Sequence, residues 1–486
     1  MTMKLINNVN RVSLLAIALT AMVSTGCKKE NLSPVPQTSL SDATAFSSPQ
    51  RISQQVFGVY SAIKSGQFLG GRAMIYQDVR GEDWINVTTN GVTAFGVWNF
   101  SITEGDNQVE NYWAAGYAAI NRANVVLEGI DANPTVIPAT LANQYKAEVR
   151  FARALSYFYL QSLYARRPYN ADNGASLSVP LRLSANKSSA GASLARSTQA
   201  QVFNQILDDL NYAETNLPAT YGAAAGDSNV VRAHKNAAIA MKMRVYMHMN
   251  RWADVITEGN KIVSTSAPFQ SPSNINHRLA TTALAPFRSP YTSTENIFSM
   301  PMSNTNSPGT QNGLGGYWTN EFGLNSSGIL GSTSFPATDA RRTNFLTPAV
   351  GTTPARWTKF NDDLNNYVPV IRYAEVLLNL AEALARQATG TTVDTRALAL
   401  LNAVRNRADA SVSWNPATKN DLINAILTER RIELLGEGFR SLDIMRQVID
   451  FPGKASVSSV PSSSLSYVWP IPASELQLNP LMVRNN

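Results

Sequence analysis

The sequence predicts a mainly α-helical protein in which helical pairs stack on one another and one long loop-rich insertion interrupts them. Apolar residues recur at helical spacing in several segments between residues 113 and 264, and again between 368 and 436. Residues 265–366 lack this periodicity, are rich in Ser, Thr, Asn, Pro and Gly, and contain one strand-like run at 295–302. The chain has 486 residues, of which 44% are hydrophobic, so it can bury a large core.

The helical segments follow from this spacing in chain order. They are predicted at 113–131, 148–166, 198–216, 233–264, 368–388, 394–409 and 419–436. Thr198 is a candidate N-cap, and Asn250 divides 233–264 into two antiparallel helices. The pattern of Ala240, Tyr246 and Trp252 resembles a tetratricopeptide hairpin. Such pairs stack into a superhelix, so we expect a tetratricopeptide-like scaffold with a few short strands.

The N-terminus predicts export and lipid attachment. Lys4 and Arg11 precede an apolar run at 12–23, which is too short to span a bilayer, and small residues lead into Cys27. This arrangement resembles a bacterial lipoprotein signal, so we expect a signal peptide at 1–26 and lipidation of Cys27. Residues 27–55, with Pro34 and Pro36, are predicted to form an extended tether.

Composition argues against a disulfide-stabilised fold and against nucleic-acid binding. Cys27 is the single cysteine, so the sequence contains no disulfide framework. Removal of residues 1–26 takes away Lys4 and Arg11 and lowers the formal charge from +7 to +5. The remaining basic residues form no dense block, which argues against nucleic-acid binding.

The candidates for catalysis are few. Three histidines occur without the spacing of a zinc motif, and no nucleophile elbow or phosphate-binding glycine loop is present. Glu375 and Glu382 lie seven residues apart, and Glu429, Glu433 and Glu437 are spaced by four. They could be the acid and base of a glycosidase, but pairing with arginines between stacked helices is the favoured interpretation. The arginines available for such pairs are Arg372, Arg386, Arg430, Arg431 and Arg440. We therefore predict no enzyme activity, cofactor or metal site.

Several motifs resemble the SusD/RagB family of lipid-anchored outer-membrane proteins from Bacteroidetes. They are VIRYAEVLLNLAEA at 370–383, ERRIELLGEGFRSLD at 429–443, YVWPIPASEL at 467–476, VRFARALSYF at 149–158, and Trp113 with Tyr117, Asn121 and Asn124. On this resemblance, residues 56–264 form the N-terminal helical region, 265–366 the variable ligand-side region and 367–486 the C-terminal region.

The resemblance implies a function in nutrient uptake. Family members bind oligosaccharides or peptides at the cell surface and deliver them to a SusC-like TonB-dependent transporter in the outer membrane. A surface glycan hydrolase and a structural lid subunit with little ligand affinity remain alternatives.

Binding of a sugar requires flat aromatic platforms with polar side chains at their edges. Trp113, Trp252 and Trp469 lie in helical or terminal motifs and are interpreted as core. The candidate ligand-binding residues lie in polar turns or in the long middle loop. They are Trp84, Trp98, Tyr317, Trp318 and Trp357, with Arg80, Asp83 and Asn99 as polar partners. For each aromatic residue, a ligand platform and loop packing remain open.

Overall fold

The fold is given by a computed structural model that describes residues 44–188, 191–222, 224, 226–272, 275–362 and 364–485. Cys27, the predicted signal peptide and most of the predicted tether lie outside the described residues. The described chain is mainly helical, with a few short strands and no closed sheet. This is the predicted fold class.

Eleven helices of seven or more residues form the scaffold within the described ranges. They are Pro49–Ile63, Arg72–Val79, Asn107–Ala132, Ala139–Tyr164, Gln199–Asn216, Lys235–His248, Trp252–Ile262, Tyr373–Gln387, Thr395–Ala408, Lys419–Glu433 and Arg440–Arg446. Most pack on their neighbours in sequence: 107–132 on 139–164, and 235–248 on 252–262. Helix 373–387 packs on 252–262, on 395–408 and on 419–433, and it thereby joins the two helical regions. Shorter helices are Phe95–Trp98, Ser228–Val231, Leu314–Gly316, Ala340–Phe345 and Ala473–Leu478.

Local signals place several helix ends where the sequence predicts them. Thr198 caps helix 199–216: its hydroxyl accepts from the Gln201 N–H, and the Gln201 side chain accepts from the Thr198 N–H. Asn250, at a φ of 53°, separates helices 235–248 and 252–262. Asn tolerates this left-handed conformation better than most residues. Both features agree with the predicted boundaries.

Several predicted boundaries are wrong. Helices 107–132 and 139–164 begin 6 and 9 residues before their predicted starts at 113 and 148. Residues 368–372 form a strand, not the start of a helix, and they pair antiparallel with 296–300. Their β-branched Val368, Val370 and Ile371 suit a strand, and the helix begins only at Tyr373. The predicted tether to residue 55 also extends too far, because Ser48 caps a helix that begins at Pro49.

Among the described residues there are three two-stranded sheets, and two of them connect distant parts of the chain. The pairs are Trp84–Asn86 with Phe322–Leu324, Asn296–Met300 with Val368–Arg372, and Leu346–Thr347 with Arg356–Trp357. The first pair matters most for function, because it holds the loop-rich region against the N-terminal helices. Its register places Asn86 opposite Phe322.

One hydrophobic core extends through both helical regions and the loop-rich region. A smaller apolar cluster surrounds Phe451 and Tyr467 near the C-terminus. Within the ranges given above, no helix combines the length and apolar character needed to cross a bilayer.

Candidate ligand-binding site

Four tryptophans predicted as ligand candidates lie in the protein interior. Trp84, Trp318 and Trp357 are 0% exposed, and Trp98 is 4% exposed. The rings of Trp84 and Trp318 stack on each other with centroids 4.0 Å apart. A platform for a sugar needs an open ring face, and these rings have none in this structure. The structure therefore favours the packing alternative for them.

Two of the four tryptophans bond to the turn that follows helix 419–433. The indole N–H of Trp318 donates to the Gly436 carbonyl at 3.2 Å, and that of Trp357 donates to the Leu435 carbonyl at 3.2 Å. Gly436 has a φ of +84°, and a Cβ added there would lie 3.2 Å from the Trp357 ring. Trp98 completes the cluster by donating to the Trp84 carbonyl at 2.9 Å. The rings thus join the N-terminal, middle and C-terminal parts of the chain.

The predicted polar partners are also used within the protein. Arg80 is 1% exposed and donates to the Tyr467 carbonyl. Asp83 is 1% exposed and forms a bidentate ion pair with Arg431, with N–O distances of 2.5 and 2.7 Å. Asn99 is half-buried, and its side-chain oxygen accepts from the Ser101 hydroxyl. Asn99 alone of the three has surface exposure.

A cavity of about 440 Å³ lies on the loop side of the scaffold. It forms between the 91–93 turn, the 307–316 loop and a turn of π-helix at Tyr317–Glu321. Turns of this type are frequent at functional sites. The lining residues are Thr93, Ser307, Gly309, Thr310, Gln311, Gly313, Gly316, Tyr317, Asn320, Glu321 and Leu364.

Arg72 hydrogen-bonds to both loops that form the cavity, the 91–93 turn and the 307–316 loop. Its guanidinium donates to the Asn312 side chain at 2.8 Å and to the Val92 carbonyl at 2.9 Å. Gly71 permits the close approach, since a Cβ there would lie 1.9 Å from the Asn312 carbonyl oxygen. Gly66 has the same role, at 1.9 Å from the Pro308 carbonyl oxygen. These contacts give the cavity a fixed shape before any ligand arrives.

Tyr317 offers the cavity an unused hydroxyl. Its ring lies against the Arg72 guanidinium, with the central carbon 5.4 Å from the ring centroid. The hydroxyl oxygen is buried and has no hydrogen-bond partner among the described residues. Burial raises the pKa of this phenol, so the hydroxyl stays protonated. A buried hydroxyl without a partner is uncommon. Tyr317 is 1% exposed, so a ligand bonds to this hydroxyl only when the cavity wall shifts and uncovers it.

Glu321 supplies a fixed carboxylate at the cavity edge. One carboxylate oxygen accepts from the Thr93 hydroxyl at 2.6 Å and from the Thr88 hydroxyl. No arginine or lysine of the described chain lies within 4 Å of it. Among the described lining residues it is the one charged side chain. The cavity therefore presents hydroxyls, amides and a single negative charge.

The carboxylates considered for catalysis are ion-paired. Glu375 pairs with Arg244 at 2.6 Å, and Glu382 pairs with Arg446 at 2.6 Å and with Arg386 at 2.8 Å. Burial favours the neutral form of Glu382, but the two arginines outweigh it and lower its pKa. The pairing interpretation is therefore confirmed for both residues, although Arg244 and Arg446 were not among the predicted partners.

Glu429, Glu433 and Glu437 belong to a larger buried cluster, which we call the buried network. Its other members are Glu295, Asp339, Arg341, Lys359, Arg372, Arg405 and Arg407. Each of its carboxylates has a cationic partner. Within the described ranges, no group of three His, Cys, Asp or Glu side chains is arranged to hold a metal ion.

Sequence reasoning missed most of the cavity. Thr93, Asn320 and Glu321 have no distinctive spacing, and they meet because strands 84–86 and 322–324 pair. The glycines at 313–316 lie in the predicted loop-rich region, but the structure forms a short helix at Leu314–Gly316 that leads into the π-helix turn. Of the predicted ligand residues, only Tyr317 is among the lining residues described.

The fold and the sequence both match one family. The model described as "SusD family" matches residues 315–486, and the model described as "Starch-binding associating with outer membrane" matches residues 33–247. A SusD superfamily crystal structure from Bacteroides fragilis is 34% identical and superimposes with a TM-score of 0.79. That match covers 90% of this chain and 99% of the other. The chain belongs to the SusD family.

More distant relatives extend the comparison. SusD-like protein P2 of Formosa agariphila is 23% identical over 98% of this chain and 99% of its own length. The match to SusD-like protein P25 of the same organism is 26% identical but spans 49% of this chain and 43% of that protein. A structure named laminarin binding SusD-like protein is 21% identical, with a TM-score of 0.69 over 90% of this chain and 99% of that one. At that identity it shows the same fold.

Proposed function

We propose that this protein binds oligosaccharides at the cavity beside Tyr317 and delivers them to a SusC-like TonB-dependent transporter. The observation that carries the proposal is the unpartnered, buried Tyr317 hydroxyl in a preformed polar cavity. Sugars present many hydroxyls, which match a lining of hydroxyl, amide and backbone groups. The laminarin-binding structure of the same fold and the starch-binding description of one matching model support a glycan over a peptide.

The cavity chemistry favours neutral or amino-bearing glycans. Glu321 repels a uronate or a sulfate, and the described lining has no basic side chain to offset that repulsion. It can instead accept hydrogen bonds from sugar hydroxyls or from an ammonium group. We therefore place uncharged oligosaccharides first among the candidate ligands.

Binding without catalysis is the favoured role. Hydrolysis by the usual mechanism needs two carboxyl groups flanking the bond to be cleaved, and Glu321 is the one carboxylate among the described lining residues. Attachment through a lipid on Cys27 would hold the protein at the outer membrane beside its transporter, with residues 28–48 as a spacer.

Calorimetry of the full chain in detergent tests the proposal with Tyr317→Phe as the key variant. The Tyr317 hydroxyl makes no bond within the described protein, so its removal should leave stability unchanged. Affinity for a neutral oligosaccharide should fall by about tenfold, because a ligand hydroxyl loses its partner. Tyr145→Phe, at a half-buried residue outside the cavity lining, is the matched control and should bind normally.

Two results would favour the alternatives. Release of shortened sugars during the titration would support a hydrolase. Absence of heat with every glycan, together with co-purification of a barrel protein from native membranes, would support a structural lid subunit.

A further inference from the structure

A second set of cavities lies near the C-terminus, outside the lining of the proposed glycan site. Two of them, of about 490 and 280 Å³, share Glu104 and Arg484. A third, of about 60 Å³, shares Leu465, Val468 and Asn485 with the second. The three cavities therefore adjoin one another, with the Glu104–Arg484 ion pair between the first and the second, and together we call them the C-terminal groove.

The C-terminal groove has an apolar, aliphatic border. Leu465 is 68% exposed and Val483 is 49% exposed, and both line it. Leu478 and Leu481, next to lining residues in the chain, are 79% and 54% exposed. Exposed apolar side chains gathered in this way mark interaction surfaces more often than plain solvent-facing ones.

The border suits a polypeptide better than a sugar. Phe100, which lines the second cavity, has its ring against the Arg80 guanidinium at 5.5 Å and the Phe451 ring at 5.1 Å. Tyr467, in the third cavity, is 1% exposed. Neither ring offers the open face on which a sugar stacks.

One end of the groove carries unpaired positive charge. Arg166 and Arg167 line the third cavity and are exposed, and neither has a carboxylate within 4 Å among the described residues. Behind them, burial and the charge of Arg166 lower the pKa of Arg196, whose guanidinium donates to backbone carbonyls. The nearby carboxylate of Asp450 accepts from the Ser462 N–H. Because this end has two arginines and one nearby carboxylate, it carries net positive charge and attracts acidic groups.

An unused acceptor lies where the second and third cavities meet. The Asn485 side-chain nitrogen donates to the Tyr164 and Trp469 carbonyls at 3.0 and 2.7 Å, which fixes the amide. Its oxygen is buried and has no partner among the described residues. An N–H or O–H group of a segment that displaces its cover would satisfy it, whereas a lipid acyl chain would not. A peptide backbone supplies such an N–H donor.

We propose that the C-terminal groove docks an extended polypeptide segment of a partner protein, with apolar side chains along it and an acidic end at Arg166 and Arg167. The aliphatic border would bury the apolar side chains, the arginines would bind the acidic end, and Asn485 would accept from the segment's backbone. Such docking gives the protein a contact with a partner that is separate from its glycan site.

Fluorescence anisotropy with designed peptides tests the proposal on the full chain. The probes are a panel of capped peptides of about ten residues, roughly 30 Å when extended, with alternating Leu and Ser and two Asp at one end. A second panel carries Lys in place of Asp. The Asp panel should contain a peptide that binds at least about tenfold more tightly than its Lys counterpart.

Charge reversal supplies the matched comparison. Arg166→Glu with Arg167→Glu should weaken the best Asp peptide by about tenfold or more. Arg122→Glu with Arg278→Glu changes net charge equally at two exposed arginines outside the groove lining and should leave binding unchanged. Leu465→Ser with Val483→Ser should weaken binding by about tenfold through lost apolar contact. Calorimetry with the oligosaccharide should give wild-type heat for all three double variants.

Several results would overturn the proposal. The first is that no peptide of either panel binds the protein. The second is that the best Asp peptide binds the Arg166/Arg167 double variant as tightly as the Arg122/Arg278 control variant. Binding of a neutral oligosaccharide or anionic vesicles that is lost in Leu465→Ser with Val483→Ser would assign the groove to a sugar or a lipid. Binding that appears only after deletion of residues 28–43 would identify the chain's own tether as the occupant. A dimer in sedimentation that the Arg166/Arg167 reversal dissociates would instead identify a second copy.

Discussion

The carboxylates of the buried network and Glu321, the carboxylate of the cavity beside Tyr317, have opposite surroundings. Glu433 accepts from Arg341, Arg372 and Arg407, and it is 3% exposed. Glu321 is half-buried and is held by threonine hydroxyls without a cation. The hydrogen-bonding capacity of Glu433 is therefore used within the protein, whereas Glu321 can still bond to a ligand.

The two regions nevertheless depend on each other. The loop-rich region contributes Glu295, Asp339, Arg341 and Lys359 to the network, and helix 419–433 and its following turn contribute the partner glutamates. Loops lack the repeating hydrogen bonds of a helix, so specific side-chain contacts must fix them. The network and the tryptophan cluster do this, and Trp318 of that cluster lies next to Tyr317 in the cavity lining.

The largest effect is expected from Arg372→Ala. Arg372 is 2% exposed and donates to Glu437 at 2.6 Å, to Glu433 at 3.1 Å and to Glu295. Its loss leaves buried carboxylates without their partner, so the free energy of unfolding should fall by about 3–5 kcal/mol. Urea unfolding measures this value.

The control for Arg372 is an exposed ion pair. Arg251 pairs with Asp254 at 2.7 Å, and the two side chains are 44% and 39% exposed. Arg251→Ala should cost less than about 1 kcal/mol. Equal costs for Arg251→Ala and Arg372→Ala would show that the buried network does not hold the loop-rich region.

Low pH should weaken the contact between the helical scaffold and the loop-rich region at His234 and His277. His234, which precedes helix 235–248, stacks on His277 of the loop-rich region with ring centroids 5.3 Å apart. Burial lowers the pKa of His234 to about 4 and that of His277 to about 3. The unfolded chain, with histidine pKa values near 6.5, binds protons first. Stability from these residues is therefore complete above about pH 6.5 and is lost as the pH falls towards 4.

The pH effect is measured as a difference between wild type and His277→Gln. From pH 7 to pH 4, wild type should lose about 2–3 kcal/mol more than the variant. Subtraction removes the opposite contribution of Asp78, whose pKa burial raises to about 7. An identical pH dependence in both proteins would exclude His277 as a source of acid sensitivity.

A smaller loss is expected from Trp318→Phe. The change removes the indole donation to the Gly436 carbonyl and part of the stack on Trp84, so stability should fall by about 2 kcal/mol. Trp252→Phe, at a half-buried ring, is the control and should cost less than about 1 kcal/mol. Loss of glycan binding without loss of stability in Trp318→Phe would return this ring to the role of ligand platform.

Periodicity in the sequence located the long helices, although helices 107–132 and 139–164 begin 6 and 9 residues before their predicted starts, and it failed for the short elements. The spacing of apolar residues located helices 199–216 and 252–262 closely. It missed 49–63 and 72–79, where polar turns surround the apolar positions. It also extended one helix over 368–372, because a buried strand and a buried helix both give continuous apolar runs.

Site residues were harder to predict than elements. A tryptophan in a polar turn can face a ligand or fold inward, and Trp84 and Trp98 fold inward because Trp318 and the 84–86 strand cover them. Thr93 and Glu321 meet only through tertiary pairing, so neither had a local signal. The arginine and glutamate pairs were easier, because buried charge requires a partner wherever it lies.

The smallest and most specific expected effect comes from a change at Glu321. Glu321→Gln keeps the size of the side chain and an acceptor for Thr93, so stability should change by less than about 1 kcal/mol. Affinity for a uronate oligosaccharide should rise by about tenfold, since a repulsive charge is removed, while affinity for the neutral oligosaccharide should change by less than about threefold. Glu104→Gln, at a carboxylate of the C-terminal groove, controls for net charge and should leave both affinities unchanged. Calorimetry with the two sugars measures the change in preference. Unaltered preference in Glu321→Gln would mean that ligand does not approach Glu321, and the distinction between used and free carboxylates would then lose its functional meaning.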